Sequence, residues 1–171
     1  MRKICLFLGL VMLPVAVLGV DWRPVIIREA RKCAAAWERE DAAAIVSFMP
    51  ARVIQQMGGR AALITEMKDQ FAQARSLGAQ RLEASVGQPT MPRILGRMLA
   101  CIVPVTAVLH GRHLDLTQQT HVLAISADQG KRWSFVLLYE TTQAELNAWF
   151  PEFRGKVSVP ASPRPRMELA Y

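Results

Sequence analysis

The sequence contains few cysteines and lacks the short motifs that mark common enzyme classes. Its three cysteines form no Cys-x-x-Cys pair, so neither a redox dithiol nor a cysteine-based zinc site is indicated. No serine lies in a Gly-x-Ser-x-Gly elbow, as it does in many hydrolases. Gly58-Gly59 lacks the Lys-Ser/Thr of a phosphate loop and is interpreted as a turn before a helix. We therefore predict no cofactor.

Positive charge is in excess but is not concentrated. The chain has 21 Lys and Arg against 14 Asp and Glu, a formal charge of +7. No dense basic run flanked by aromatic residues and no nucleic-acid-binding motif is present, so we predict no nucleic-acid partner. A basic, soluble surface is the simplest interpretation, and attraction to acidic proteins or to anionic envelope surfaces stays open.

The first 19 residues have the pattern of a cleaved secretory signal. Arg2 and Lys3 precede an apolar run, and Val17-Leu18-Gly19 suits a cleavage site after Gly19. At about 15 apolar residues the run is shorter than the roughly 20 that span a bilayer. We predict a signal peptide over 1–19, a periplasmic or secreted protein, and no stable membrane insertion after cleavage.

Helical spacing recurs through the first half of the remaining chain. Apolar side chains three and four residues apart predict helices over 25–40, 42–48 and 60–77. Alternation of apolar and polar residues then predicts a strand over 81–87, followed by a loop over 88–96.

Long strands with short turns follow. They are predicted over 98–109, 114–126 and 132–139, and the short polar connections are typical of an antiparallel meander. A short helix over 142–150 comes next, and a Pro-rich tail over 156–171 is predicted to be disordered. Helices before an antiparallel sheet indicate one α+β domain, residues 20–155, whose helices cover one sheet face.

Three segments carry a resemblance to a known superfamily. They are AAAWEREDAAAIVSFM (34–49), MGGRAALITEM (57–67) and HVLAISADQGKRWSFV (121–136). Over about residues 25–150 the chain resembles exported bacterial members of the nuclear transport factor 2-like (cystatin-like α+β cone) superfamily. The resemblance implies N-terminal helices packed in the concave face of a strongly curved antiparallel sheet, with a cavity at the wide end. Members include steroid isomerases, cyclases, non-enzymatic binders and protein-interaction modules, so the fold does not decide the function.

Asp41 is the one weak catalytic candidate that the resemblance suggests. Enzymes of the superfamily place an Asp or His in the hydrophobic cone, where burial tunes its pKa for proton transfer. Asp41 lies between the first two predicted helices, but an Asp before Ala42 is also an ordinary helix N-cap. No second acid or tyrosine can be placed opposite it.

The last long strand favours an apolar pocket as an alternative to simple core packing. Alternation places aromatic rings on one of its faces, and three side chains of the predicted helices could face them. The pocket candidates are Trp37, Met67, Phe71, Trp133, Phe135 and Tyr139. The preceding strand has a polar face, Thr117, Gln119 and His121, which is either solvent-exposed or a partner surface.

Two cysteines remain after the predicted cleavage, Cys33 on a helix and Cys101 in a strand. An oxidising compartment permits a disulfide between them, and two small buried thiols are the other interpretation. The Cα separation that decides between the two is not in the sequence.

The histidines do not indicate a metal site. His110 and His113 flank a hairpin turn, and His113 and His121 would be about 27 Å apart along an extended strand. We predict no metal.

The sequence thus favours an exported, non-enzymatic module that binds a small apolar molecule or an envelope protein in a cone pocket or on an exposed sheet face. The alternatives are an isomerase- or cyclase-like enzyme with a buried general base, and a periplasmic inhibitor or immunity-type protein. A homodimer through the open sheet face is an expectation from the superfamily.

Overall fold

Four helices precede the sheet in the computed structural model, which describes residues 21–139 and 141–169. They are α1 (Arg23–Glu38), α2 (Ala42–Ser47), α3 (Ala51–Gln56) and α4 (Arg60–Ser76). The predicted signal peptide, residues 1–19, lies outside the described residues. Among the residues described, no helix has the length and apolar character needed to cross a bilayer.

Helix α3 is absent from the sequence prediction, which placed no helix between residues 48 and 60. In the structure Pro50 is the N-cap of α3, with φ −62° and ψ 136°. Proline suits the start of a helix because the first amides of a helix have no partner within it. Gly58 and Gly59 adopt φ of 89° and 93°, and this left-handed backbone lets α3 end and α4 begin.

Within the described part of the chain, the sheet has six antiparallel strands arranged around one long hairpin. The strands are β1 (Ala79–Val86), β2 (Arg93–Leu95), β3 (Met98–Gly111), β4 (Leu114–Ser126), β5 (Ser134–Leu137) and β6 (Arg166–Leu169). β3 and β4 form the hairpin, β1 and β2 pair with β3, and β5 and β6 pair with opposite ends of β4. The sheet is strongly curled into a half-barrel, so the α+β class and the antiparallel meander are confirmed.

Three strands differ from the prediction, and the third, β6, lies in the tail that was predicted to be disordered. β2 lies inside the predicted loop 88–96, and β5 is shorter than the predicted strand 132–139. β5 starts late because the preceding residues are held in a turn. There the amide of Arg132 donates to Asp128 Oδ1 at 2.8 Å, and the amide of Gly130 donates to Ser126 Oγ at 2.8 Å.

Helices cover both faces of the sheet at its β5 end, and this corrects the prediction that they cover one. On the face that we call the α1 face, Ile26 and Ala30 of α1 pack with Cys101, Val103 and Phe135. On the opposite face, the α5 face, helix α5 (Gln143–Trp149) and a 3-10 turn (Pro151–Phe153) supply the buried side chains Leu146, Phe150 and Phe153. β4 and β5 are apolar at successive positions, so each of their faces needs a cover.

The Pro-rich tail, predicted to be disordered, lies along the domain in the structure up to residue 169. Val157 and Val159 pack against the core of the α5 face. The Gln143 side chain donates to the carbonyl of Val157 at 3.1 Å and accepts from the amide of Val159 at 2.9 Å. Proline is disfavoured in the interior of a helix, but a Pro-rich segment in an extended form can be held by side chains of its neighbours. Composition alone did not reveal those neighbours.

Candidate functional site

A cavity of about 240 Å³ lies between α1 and the sheet. The alternation of side chains along β1, β3, β4 and β5 directs every second residue of each strand toward α1. The lining consists of Ala30, Cys33, Ala34 and Trp37 from α1, and of Leu82, Ala84, Val86, Val105, Ala107, Gln118, Thr120, Val122, Phe135, Leu137 and Tyr139 from the sheet side. The wall is therefore almost wholly apolar.

Small side chains are the reason that this space is not filled. Ala30 and Ala34 are one helical turn apart on α1, and they line the cavity together with Ala84 and Ala107. Ala84 and Ala107 are directly opposite each other on β1 and β3. Larger residues at these four positions would close the gap between helix and sheet, as they do near Ile26.

Aromatic residues form one end of the cavity. Trp37 meets Phe71 of α4 edge to face, with ring centroids 5.8 Å apart. Phe135, which is buried, is 6.3 Å from the ring of Phe48. Tyr139 lines the cavity and is partly exposed, with 36% of its surface accessible.

A second cavity of about 320 Å³ adjoins the first and reaches toward α4. The two share six lining residues, Cys33, Trp37, Val122, Phe135, Leu137 and Tyr139. Met67 of α4 lines the second cavity. The shared residues place the two cavities side by side, so the space beside α1 continues toward α4.

The structure brings together four of the six predicted pocket residues. Trp37, Phe135 and Tyr139 line both cavities, and Met67 lines the second. Phe71 supports Trp37 but lines neither cavity. Trp133 is a core residue, 5% exposed, and its Nε1 donates to the carbonyl of Gly130 at 3.2 Å.

Sequence reasoning missed the polar residues of the cavity, Gln118 and Thr120. It singled out Thr117, Gln119 and His121, which lie on the opposite face of β4. Val122 continues the face of Gln118 and Thr120 and also lines the cavity, but Leu123 is apolar as well and continues the opposite face, so no local signal separated the two.

Both described cysteines are free thiols in the structure, so the disulfide that the sequence left open is not formed there. Cys33 lines both cavities, and Cys101 packs in the core of the same sheet face. Burial raises the pKa of each thiol to about 12, because a buried thiolate loses its hydration. Each cysteine therefore contributes a neutral, apolar surface at neutral pH.

Asp41 does not face either cavity. It is exposed, and its Oδ1 accepts a hydrogen bond from the amide of Ala44 at 3.0 Å at the start of α2. The structure therefore places it as a helix cap. Among the described residues that line the first cavity, none carries a carboxylate, an imidazole or a basic group.

The histidines lie away from the cavity. His110 Nδ1 is 3.0 Å from Asp115 Oδ2, and its Nε2 is 3.5 Å from Glu83 Oε2. In the part of the chain that the structure describes, no group of three or more His, Cys, Asp or Glu residues is arranged to hold a metal ion.

Comparison with known proteins finds no matching family model, no similar curated protein and no similar solved structure. Membership of the nuclear transport factor 2-like superfamily therefore stays a prediction. The chemistry of the cavity is the basis for interpreting the function.

Proposed function

We propose that this protein is an exported, non-enzymatic binding module that holds a small apolar molecule in the cavity between α1 and the sheet. The observation that carries the proposal is the lining: apolar side chains from α1 and four strands line a space of about 240 Å³, and two of them, Leu137 and Tyr139, are 41% and 36% exposed. A cone of the nuclear transport factor 2-like type would have its cavity in a corresponding position, between helix and curved sheet.

The size and polarity of the cavity suit such a ligand. Apolar cavities of roughly 150 Å³ stay free of water and accept molecules the size of benzene. Transfer of apolar surface from water into such a space stabilises the complex by roughly 25 cal/mol per Å². A single or fused ring system, or a short branched chain, therefore fits this space.

The enzyme alternative receives less support from the geometry. A general base for proton transfer has to reach the substrate within hydrogen-bond distance, and Asp41 is exposed at the start of α2. Among the described residues, the lining carries no charged group and so offers a substrate little electrostatic stabilisation. Binding is what this lining favours.

Native mass spectrometry of the mature protein, purified from the periplasm without reduction, tests the proposal. We expect a bound species of low mass that is lost when the protein is unfolded. The matched variant is Ala84→Leu with Ala107→Leu, which fills the cavity and should carry no such species. An empty wild-type protein that also fails to bind a panel of small aromatic and aliphatic compounds would refute the proposal.

A protein partner or a second copy of the chain is a second candidate, favoured by exposed apolar side chains at the β6 edge. Leu114, Met167 and Leu169 are 49%, 72% and 69% exposed, and Leu114 pairs directly with Leu169. Light scattering of Met167→Lys tests this candidate. The matched control is Ile94→Lys, since Ile94 is 75% exposed on β2, which pairs with the other strand of the hairpin. A homodimer that uses this edge would be lost in the first variant and kept in the second.

A further inference from the structure

The hairpin of β2 and β3 presents exposed apolar and basic side chains close together. Met91 and Ile94 are 68% and 75% exposed, and Arg93 and Arg97 are exposed in the same short segment. Leu95 is 3% exposed and packs in the core of the α5 face, so the segment is anchored to the domain. A single exposed apolar residue is ordinary, but apolar side chains among cations are the combination that peripheral membrane binding uses.

Three more exposed cations lie at the same end of the sheet. The Arg93 guanidinium donates to the carbonyl of Lys156 at 3.2 Å, which places Lys156, and Arg154 two residues before it, beside β2. The first residues of β3 pair with the last residues of β4, so the turn that follows β4 and contains Lys131 is at this end too. We call residues 91–97, Lys131, Arg154 and Lys156 the β2 end.

The carboxylates nearest to the β2 end are already in ion pairs. Asp128, in the turn after β4, is 3.3 Å from Arg132, and Glu152, in the 3-10 turn, is 2.8 Å from Arg52. No Asp or Glu occurs within residues 84–114. Among the described residues, the cations of the β2 end form no ion pair: Arg93, Arg97, Lys131, Arg154 and Lys156. The β2 end is therefore positively charged, and an anionic surface is its electrostatic complement.

The start of α1 lies at the same end. A Cβ on Gly130 would meet the indole of Trp22, so the residue before α1 lies against the turn that follows β4. Asp21 there is paired with Arg23 at 2.9 Å and leaves the positive charge uncompensated. The signal peptide predicted over 1–19 would join the domain at this point. Before its cleavage, an inserted signal would hold the β2 end close to the bilayer.

We propose that the β2 end is a peripheral docking surface for an anionic lipid membrane. Met91 and Ile94 enter the headgroup region, and the cations around them face anionic headgroups; each cation strengthens such binding about fivefold. A bilayer interface accepts exposed apolar side chains without a shaped pocket, whereas an acidic protein would need a surface complementary to them. This surface is separate from the cavity beside α1, so the inference goes beyond the proposed function.

Sedimentation of the full mature chain with vesicles of phosphatidylglycerol and phosphatidylethanolamine tests the inference. We expect binding that weakens as salt is added and no binding to phosphatidylcholine vesicles. Arg97→Gln combined with Lys131→Gln should weaken binding by about 25-fold. The matched control is Arg39→Gln combined with Lys68→Gln, which removes the same charge from exposed positions after α1 and on α4 and should change binding little. Arg39 follows the end of α1 that is opposite to Trp22, about 24 Å away at 1.5 Å per residue.

A second pair of variants tests the apolar part of the contact. Ile94→Ser should weaken vesicle binding by about tenfold, because the side chain no longer leaves water. The matched control is Leu77→Ser, since Leu77 is 81% exposed and lies beside Gly111 at the opposite end of β3. It should leave binding unchanged. All the side chains replaced in these variants are exposed, and circular dichroism checks that each variant is folded.

The outcomes decide the inference independently of the ligand cavity. If the wild-type protein does not bind the anionic vesicles, the inference is wrong. It is also wrong if the Arg39 and Lys68 control weakens binding as much as the test variant, because net charge alone would then explain the attraction. Binding to immobilised polyglutamate without binding to vesicles would identify an acidic protein as the partner and overturn the membrane assignment. An unchanged affinity of Ile94→Ser would overturn the insertion of apolar side chains.

Discussion

Ala84 of β1 and Ala107 of β3 are direct cross-strand partners, and both lie in the wall of the cavity. A pair of methyl groups here, opposite Ala30 and Ala34 of α1, leaves space that branched side chains would occupy. The cavity is thus a consequence of four alanines at positions where α1 crosses the sheet.

Filling this space should abolish binding at little cost in stability. Extra methylene groups in a well-packed core cost about 1–3 kcal/mol, but Ala107→Leu extends into existing space. We expect its free energy of unfolding to change by less than about 1 kcal/mol, whereas binding of small aromatic compounds is lost. Urea denaturation and equilibrium dialysis measure the two effects.

Ala36→Leu is the matched control, because Ala36 of α1 is 0% exposed and does not line the cavity. It should destabilise the protein by about 1–3 kcal/mol. Equal destabilisation by the two variants would show that no usable space exists beside Ala107.

A separate prediction concerns the contribution of the tail to stability. Truncation after Gly155 removes Val157 and Val159 from the α5 face, and we expect it to lower the free energy of unfolding by about 1–3 kcal/mol from lost apolar burial. Truncation after Pro165 removes β6 but keeps both valines and should cost less. If the shorter chain is as stable as the full chain, the tail is not packed on the domain.

The elements that the sequence predicted well are long and periodic. α1, α4 and the β3–β4 hairpin depend on spacings that extend over many residues, and local pattern determines them. α3, β2 and β6 span six, three and four residues. Their formation depends on neighbours distant in sequence, which local pattern does not describe.

The polar wall of the cavity was out of reach for a related reason. β4 is apolar at consecutive positions from Val122 to Ile125, because α1 covers one face and α5 the other. The alternation of polar and apolar residues therefore could not show whether the even- or the odd-numbered side chains of β4 face the cavity. The sequence prediction placed Trp133 in the pocket because alternation puts it on the same strand face as Phe135. In the structure its indole nitrogen instead donates to the turn carbonyl of Gly130 within the core.

Asp41 should matter for stability and not for ligand binding. Because Oδ1 caps the Ala44 amide, Asp41→Ala should lower the free energy of unfolding by about 1 kcal/mol. Asp41→Asn keeps a capping oxygen and should be nearly neutral. Thermal unfolding of both variants and equilibrium dialysis with small aromatic compounds check this. Loss of turnover in a well-folded Asp41→Asn, for any substrate found, would instead support the role of general base.

The two thiols, of which Cys101 is buried and Cys33 is partly buried, lead us to predict a loss of stability in alkali. Their pKa is about 12 in the folded protein against 9.0 for an ordinary thiol, so above pH 9 the unfolded chain binds fewer protons than the folded one. The free energy of unfolding then falls with rising pH. The contribution of the thiols is complete below pH 9 and is lost progressively as the pH approaches 12.

Urea denaturation between pH 8 and 11 measures this effect, with Cys33→Ala and Cys101→Ala combined as the reference that removes both thiols. The wild-type protein should lose more stability over this range than the double variant, and the difference isolates the cysteines from other groups that titrate there. Parallel curves would mean that the thiols are solvated, or that they are oxidised to the disulfide that the sequence left open. The mass of the unreduced protein separates these two cases, because a disulfide lowers it by the two thiol hydrogens.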